Sequence, residues 1–316
     1  VSSGNSYANG ALAAKFTLDG HVGELLGGLP QLGTMREALQ QAEEDWPTLL
    51  GRLQRMRTEL LSADGAVVDL SADGSSLAAV SALVEPLLAQ LPSSSSSAAA
   101  GAPAGWQWAG GAEGGLLVPS YEGLQVPTQV NYVAKAAPIY QPGEAVPGST
   151  SVITRYLRTA YLWDAVRVQG GAYGCSLGFS RFDGVASFSS YRDPNVKATL
   201  DNYDGTGAFL RSNPLGPAEL SKAIIGAVGD LDAPQSVDAK GYTSMVRHML
   251  GVTEEDRQVW RDQVLSTTAA DFVNFAERID TVAQQGSVAA VASERAIAEA
   301  NEALPEGKRL VPKAAL

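Results

Sequence analysis

The chain has 316 residues, 45% of them hydrophobic, a formal net charge of -11 and a sequence pI near 4.7. That length exceeds the usual single domain and carries enough apolar material for two cores, while the acidic balance lacks the clustered Lys and Arg of a nucleic-acid footprint. No window approaches the roughly 18 uninterrupted apolar residues of a membrane span, so the sequence reads as a soluble protein. It begins at Val1 without Met or an Arg-rich leader, the pattern of a processed or truncated piece. The single cysteine, Cys175, excludes an internal disulfide framework and a Cys-based zinc site, which suits a reducing or organellar interior. With no His close by in sequence to activate it, Cys175 reads as a small packing residue.

In chain order, Ala11 to Leu32 predicts a helix that stops at the Gly27, Gly28 and Pro30 cluster. From Met35 to Leu61, apolar residues recur at helical spacing. Pro47 must begin or kink a helix, so two helices are expected to meet near Asp45, the N-cap of the second. Ala66 to Ser71 predicts a strand between two Asp-Gly turns, followed by a helix from about Ser76 to Gln90. Residues 92–115 are Ser-, Ala- and Gly-rich, interrupted by Trp106 and Trp108, and predict a flexible surface insertion. Leu124 to Ala136 predicts one internal strand, and the Pro/Gly-rich loop from Pro138 to Gly148 the domain boundary.

Beyond it, Ser149 to Val166 predicts an amphipathic helix, and Gly171 to Ser180 with Phe182 to Arg192 a hairpin turning at Asp183-Gly184. Helices are expected over Val196–Leu210, Pro217–Val228, Asp238–Leu250, Thr253–Leu265 and Thr268–Gln284. Thr253 with Asp256, and Thr268 with Asp271, form capping boxes. Ser287 to Ser293 closes as an apolar strand. The fold class expected is α+β.

The chemistry-bearing stretch is Arg167-Val-Gln-Gly-Gly-Ala-Tyr-Gly174. Arg167 offers a planar fork of donors suited to carbonyls and carboxylates. Gly170, Gly171 and Gly174 leave room for another backbone, and Tyr173 sits two residues from Gly171, on the same face if the strand runs through both. Taken alone, these eight residues read more readily as a surface arginine beside a tight turn. A zinc site is not legible: His21-Val-Gly-Glu24 begins like an inverted zinc motif, but Leu25 stands where the second His belongs. His21 and His248 are the only two histidines and lie far apart in sequence, whereas catalytic zinc needs three protein ligands plus water. The sequence also lacks a phosphate loop.

The flanks change the reading. Tyr161-Leu-Trp-Asp-Ala-Val166 precedes the motif, and Phe188-Ser-Ser-Tyr-Arg-Asp-Pro-Asn195 and Tyr203-Asp-Gly-Thr-Gly207 follow it. With Val126-Pro-Thr-Gln-Val-Asn-Tyr-Val133, Lys222-Ala-Ile-Ile-Gly226, Asp238-Ala-Lys-Gly-Tyr242 and Arg247-His-Met-Leu-Gly-Val-Thr253, these strongly resemble the presequence proteases. Those are organellar, clamshell-shaped members of the pitrilysin-like inverzincin metallopeptidases. The resemblance covers nearly the whole chain and is weakest between Ser93 and Gly123.

The resemblance implies the carboxy-terminal, non-zinc half of such an enzyme. Residues 1–137 would be the end of the third pitrilysin-like domain, and 138–316 the fourth, with a mixed sheet packed by helices in the order helix, hairpin, helices, strand. It implies that Arg167, Gly170, Gly171 and Tyr173 contact substrate, Arg167 holding carbonyls and Tyr173 stabilising the oxyanion. Zinc, a zinc-polarised water and a glutamate base would belong to the amino-terminal half, leaving this chain metal-free and inactive alone. The implied partners are that half and short unstructured, often cationic peptides, with no nucleic acid and no membrane. An acidic chamber wall would attract Arg-rich targeting peptides. The implied location is the chloroplast stroma, the mitochondrial matrix or both. The alternative is a non-catalytic pitrilysin-like structural or peptide-binding subunit.

Overall fold

In the computed structural model, which describes residues 3–92 and 120–315, the chain is α+β, with one mixed six-stranded sheet and thirteen α-helices among the described residues. It divides into two compact units. One gathers residues 3–31, 120–232 and 259–315; the other gathers 32–92 and 233–258.

Local rules set the first helices. Where one helix was expected there are α1 (Gly4–Phe16) and α2 (Leu18–Gly27), because Thr17 is extended and its hydroxyl accepts from the Gly20 N–H, ending one helix and capping the next. Then α3 (Leu29–Glu44) and α4 (Trp46–Leu60) meet at Asp45, whose carboxylate accepts from the Thr48 N–H at 3.2 Å, as the sequence indicates. The strand expected at Ala66–Ser71 does not form, and among the described residues the segment pairs with no strand. It runs instead against Gly241, where a Cβ would collide with the Ser71 hydroxyl. Asp73 caps α5 (Gly74–Leu88) by accepting from the Ser75 and Ser76 N–H groups, both at 2.9 Å. Of the low-complexity stretch, residues 93–115 lie outside the described residues.

The other long correction is at Leu124–Ala136, which is two strands, β1 (Tyr121–Gln125) and β2 (Tyr132–Pro138). Pro127 has no N–H for a ladder, and the Thr128 hydroxyl turns the chain by bonding the Val130 carbonyl and N–H. A cut between residues 137 and 138 would fall inside β2. That strand pairs with two strands from beyond the cut, so the sheet belongs to one unit and the domain boundary is not there.

The second stretch runs through α6 (Ser149–Leu157), a wide π-type helix (Arg158–Gln169), β3 (Gly174–Phe179) and β4 (Val185–Tyr191). The hairpin turns at Asp183-Gly184 as expected, with Gly184 at φ +70° and the Asp183 carboxylate accepting from the Val185 N–H. Val196–Leu210 divides into α7 (Lys197–Asp204) and α8 (Thr206–Ser212). They are followed by α9 (Pro217–Leu231), α10 (Val237–Met249), α11 (Glu254–Leu265), α12 (Ala269–Gln285), β5 (Ser287–Ala292), α13 (Glu294–Ala303) and β6 (Val311–Ala314). Both capping boxes form: the Thr253 N–H donates to Asp256 at 2.8 Å and the Thr268 N–H to Asp271 at 2.7 Å.

The sheet order is β3-β4-β2-β5-β1-β6. β3 and β4, β4 and β2, and β2 and β5 are antiparallel; β1 runs parallel to both β5 and β6. The central strands are buried on both faces, with period-2 alternation. On one side Val133, Ala137, Val288 and Ala290 join the large core with Phe188, Tyr203, Phe272 and Ile279. On the other, Tyr132, Ala134, Ala289 and Val291 meet Ala8, Ala11 and Leu12 of α1. Such two-sided burial is why β5 reads as an unbroken apolar run. It leaves β3 at the edge of the sheet, directly after the helix that carries Arg167.

Candidate functional site

Arg167 lies in the last turn of the wide helix, where i→i+5 bonding gives each turn an extra residue. The indole of Trp163, four positions earlier, is a platform for it: the guanidinium carbon stands 3.9 Å from that ring's centroid. The same carbon is 5.8 Å from the Tyr173 ring. Among the described residues no ion pair engages Arg167, so its donors stay available. Tyr173 is 66% exposed and Trp163 is exposed beside it. An uncompensated cation flanked by two exposed aromatics is what an incoming peptide carbonyl can use.

The glycines between them are required by the turn itself. A Cβ at Gly170 would stand 2.6 Å from the Val166 carbonyl oxygen and 3.0 Å from that of Ala165. Gly171 adopts φ +80°, where L side chains are strained. Its N–H donates to the Arg167 carbonyl at 3.0 Å, and the Ala172 N–H to that of Val166 at 3.1 Å. Gly171 is therefore in a turn and not in the strand, which corrects the expected same-face relation to Tyr173. Tyr173 instead precedes β3, with its N–H donating to the Arg192 carbonyl at 3.3 Å and its ring edge-on to Tyr191 at 6.0 Å.

Cys175 is half-buried on β3. Burial pushes its thiol up to about 11, against the pull of the nearby Arg167 charge. It is a protonated thiol at neutral pH, consistent with a packing role.

The structure brings together Arg167, Gly170, Gly171 and Tyr173, the residues singled out in the sequence. It does not bring together metal ligands. No group of three or more His, Cys, Asp or Glu among the described residues is placed to hold an ion. His21 is in α2, His248 is exposed in the last turn of α10, and the two belong to different units.

A family model described as the PreP C-terminal domain matches residues 121–294, which include this site and every strand of the sheet except β6. The chain belongs to the PreP C-terminal domain family.

Within that family, it is 42% identical over 299 residues to presequence protease 1, chloroplastic/mitochondrial, of Arabidopsis thaliana, covering 95% of this chain and 27% of that protein. It is 31% identical over 283 residues to the mitochondrial presequence protease of Aspergillus fumigatus, covering 87% and 25%. This PreP C-terminal domain chain thus spans about a quarter of the length of those relatives. Among solved structures, pitrilysin aligns with TM-score 0.45 at 15% identity, over 62% of this chain and 22% of that one. No helix among the described residues is long and apolar enough to cross a membrane.

Sequence reasoning passed over Trp163, which its Tyr161–Val166 motif contained. The i, i+4 spacing of Trp163 and Arg167 was the available signal. It also passed over Asn195 and Asn202, whose side chains bond the backbone of the Arg167 helix and its exit turn.

Proposed function

We propose that this chain is the non-zinc half of a zinc endopeptidase that degrades cleaved transit peptides, presequences and other short unstructured peptides in organelles. The observation that carries the proposal is Arg167, seated on Trp163 within reach of Tyr173, with no carboxylate partner among the described residues, at the exit to edge strand β3. The chloroplastic and mitochondrial names of the relatives support the organellar setting.

In this reading the planar fork of Arg167 donates to a peptide carbonyl and orients it. The Tyr173 hydroxyl donates to the oxygen on which charge develops. The free edge of β3 and the glycine turn let an extended backbone approach. These residues do not fit zinc, so zinc and the water it activates are assigned to the amino-terminal half, and no step run by this chain passes through the metal. A net charge of -11 favours cationic peptides through long-range attraction.

The test is steady-state peptide turnover by the complete protein. Arg167→Ala and Tyr173→Phe should each lower kcat/KM by about 10² to 10³ fold, with melting temperature within a few degrees of wild type. Arg167→Lys should rescue only partly, because an ammonium lacks the fork. Normal turnover in both truncations would sink the proposal, and turnover lost only together with the fold would assign the motif to stability alone.

A further inference from the structure

The turn that delivers Tyr173 is gripped at both ends by one short segment, residues 192–195. At one end, the Asn195 side-chain amide donates to the Gly170 carbonyl at 2.6 Å. At the other, the Arg192 carbonyl accepts from the Tyr173 N–H at 3.3 Å. Pro194 lies between, its Cγ 3.5 Å from where a Gly171 Cβ would be.

The segment itself is fixed from below by Asp193, which is fully buried. Its carboxylate accepts from the Asn195 N–H at 2.9 Å and the Thr199 hydroxyl at 2.7 Å. Its backbone exchanges bonds with Asn131 at 2.7 and 2.8 Å. Burial holds the Asp193 carboxyl above its ordinary range, opposed by these donors. Further back, the Asn202 amide donates to the Ala165 carbonyl at 3.2 Å, and the Tyr161 hydroxyl donates to the Asn202 carbonyl at 2.7 Å.

The last carbonyls of a helix have no partners within it, and a wide final turn leaves their direction poorly set. Here the Ala165 carbonyl accepts from the Gly170 N–H at 3.1 Å and gains a second donor in the Asn202 amide, while the Gly170 carbonyl, on the other side of Arg167, takes the Asn195 amide. The Asn195 bond reaches the first residue past the helix, where a small rotation would swing Arg167 and Tyr173 apart.

We propose that Asn195, anchored by the buried Asp193, is a positioning residue that sets the spacing between Arg167 and Tyr173. The inference rests on the functional reading above and adds a residue to it. Asn195 touches no substrate; it acts through the Gly170 carbonyl. Misplacement by about 1 Å is enough for losses of up to 10²-fold, so Asn195→Ala should reduce kcat of the complete protein by about 10-fold or more. Asn195→Asp is isosteric but has no amide to donate, so it should not rescue.

Two further readouts separate positioning from general stability. In an Arg167→Ala/Tyr173→Phe background, Asn195→Ala should cost little more, because the groups it positions are gone. In amide exchange followed by mass spectrometry, Asn195→Ala should speed exchange of residues 170–173 while leaving β5 and α12 at wild-type protection.

Wild-type kcat in Asn195→Ala, alongside impaired Arg167→Ala, would overturn the positioning role and leave the functional reading standing. A full additional loss in the doubly substituted background would overturn it too. So would faster exchange throughout β5 and α12 in both Asn195 variants. Undiminished turnover in Arg167→Ala and Tyr173→Phe themselves would overturn both claims, and those two variants alone reveal it.

Discussion

At the scale of single residues, the candidate site is defined by what its groups are denied. Among the described residues Arg167 has no carboxylate partner and rests on an indole instead, a contact of about 0.5 to 1 kcal/mol at an exposed position. That fixes the guanidinium without consuming its hydrogen-bond donors. Cys175 is half-buried beside it, and this makes it a reporter on its neighbour. With the thiol raised to about 11, alkylation by iodoacetamide should be slow at pH 8 and accelerate up to about pH 11. The Arg167 charge works against that rise, so Arg167→Ala should move the alkylation profile to still higher pH. A profile with its midpoint near pH 8.5, or one that shifts down in Arg167→Ala, would contradict the arrangement of thiol and guanidinium described here.

At the scale of elements, the turn between the wide helix and β3 sets how the side chains of Arg167 and Tyr173 stand to one another. Gly171 and Gly143 both sit at φ +80°, and a Cβ at Gly143 would have no neighbour within 4 Å. Each Gly→Ala change should cost about 1 to 2 kcal/mol of stability from backbone strain, measured by urea denaturation. Only Gly171→Ala should also depress turnover; equal activity in both would show that the turn does not govern the site. The same contrast explains what the sequence disclosed. Features with local causes were legible: the Asp45 cap before Pro47, the two Thr/Asp capping boxes, the Asp183-Gly184 hairpin and, of the candidate site, the nearness of Arg167 to Tyr173. Features decided by distant partners were not. β1 pairs with β5 and β6, more than 160 positions away, so nothing near Pro127 announces where β1 stops. Residues 66–71 have a strand's composition and, among the described residues, no ladder to join. The wide helix also escaped notice, since its two buried residues, Leu162 and Val166, stand at an i, i+4 spacing that an ordinary α-helix shares.

At the scale of the whole molecule, the unit that bears the site is assembled from three stretches of chain, and its sheet is buried on both faces. That puts a charged side chain of β2 in an expensive place. Lys135, on the side of β2 that faces α7, is 3% exposed and reaches Asp204 at the end of α7 at 2.5 Å. Burial pushes the Lys135 ammonium below its ordinary range and the Asp204 carboxyl above its own, each partner pulling the other back. Desolvation is thus the larger influence on both, so the pair joins β2 to α7 without adding much net stability. Removing one partner is a different matter, because it strands the other charge. Asp204→Ala should destabilise the protein by about 2 kcal/mol, below the usual range for fully buried pairs because Asp204 keeps some solvent. In that background Lys135→Met should recover most of the loss, since methionine fills the space of the lysine stem without a charge to desolvate. Thermal or urea unfolding of the two single and the double variant gives the coupling directly. A double variant no more stable than Asp204→Ala would mean that the ion pair is itself a principal support of the β2–α7 contact, and that the two-sided apolar core does not hold α7 in place on its own.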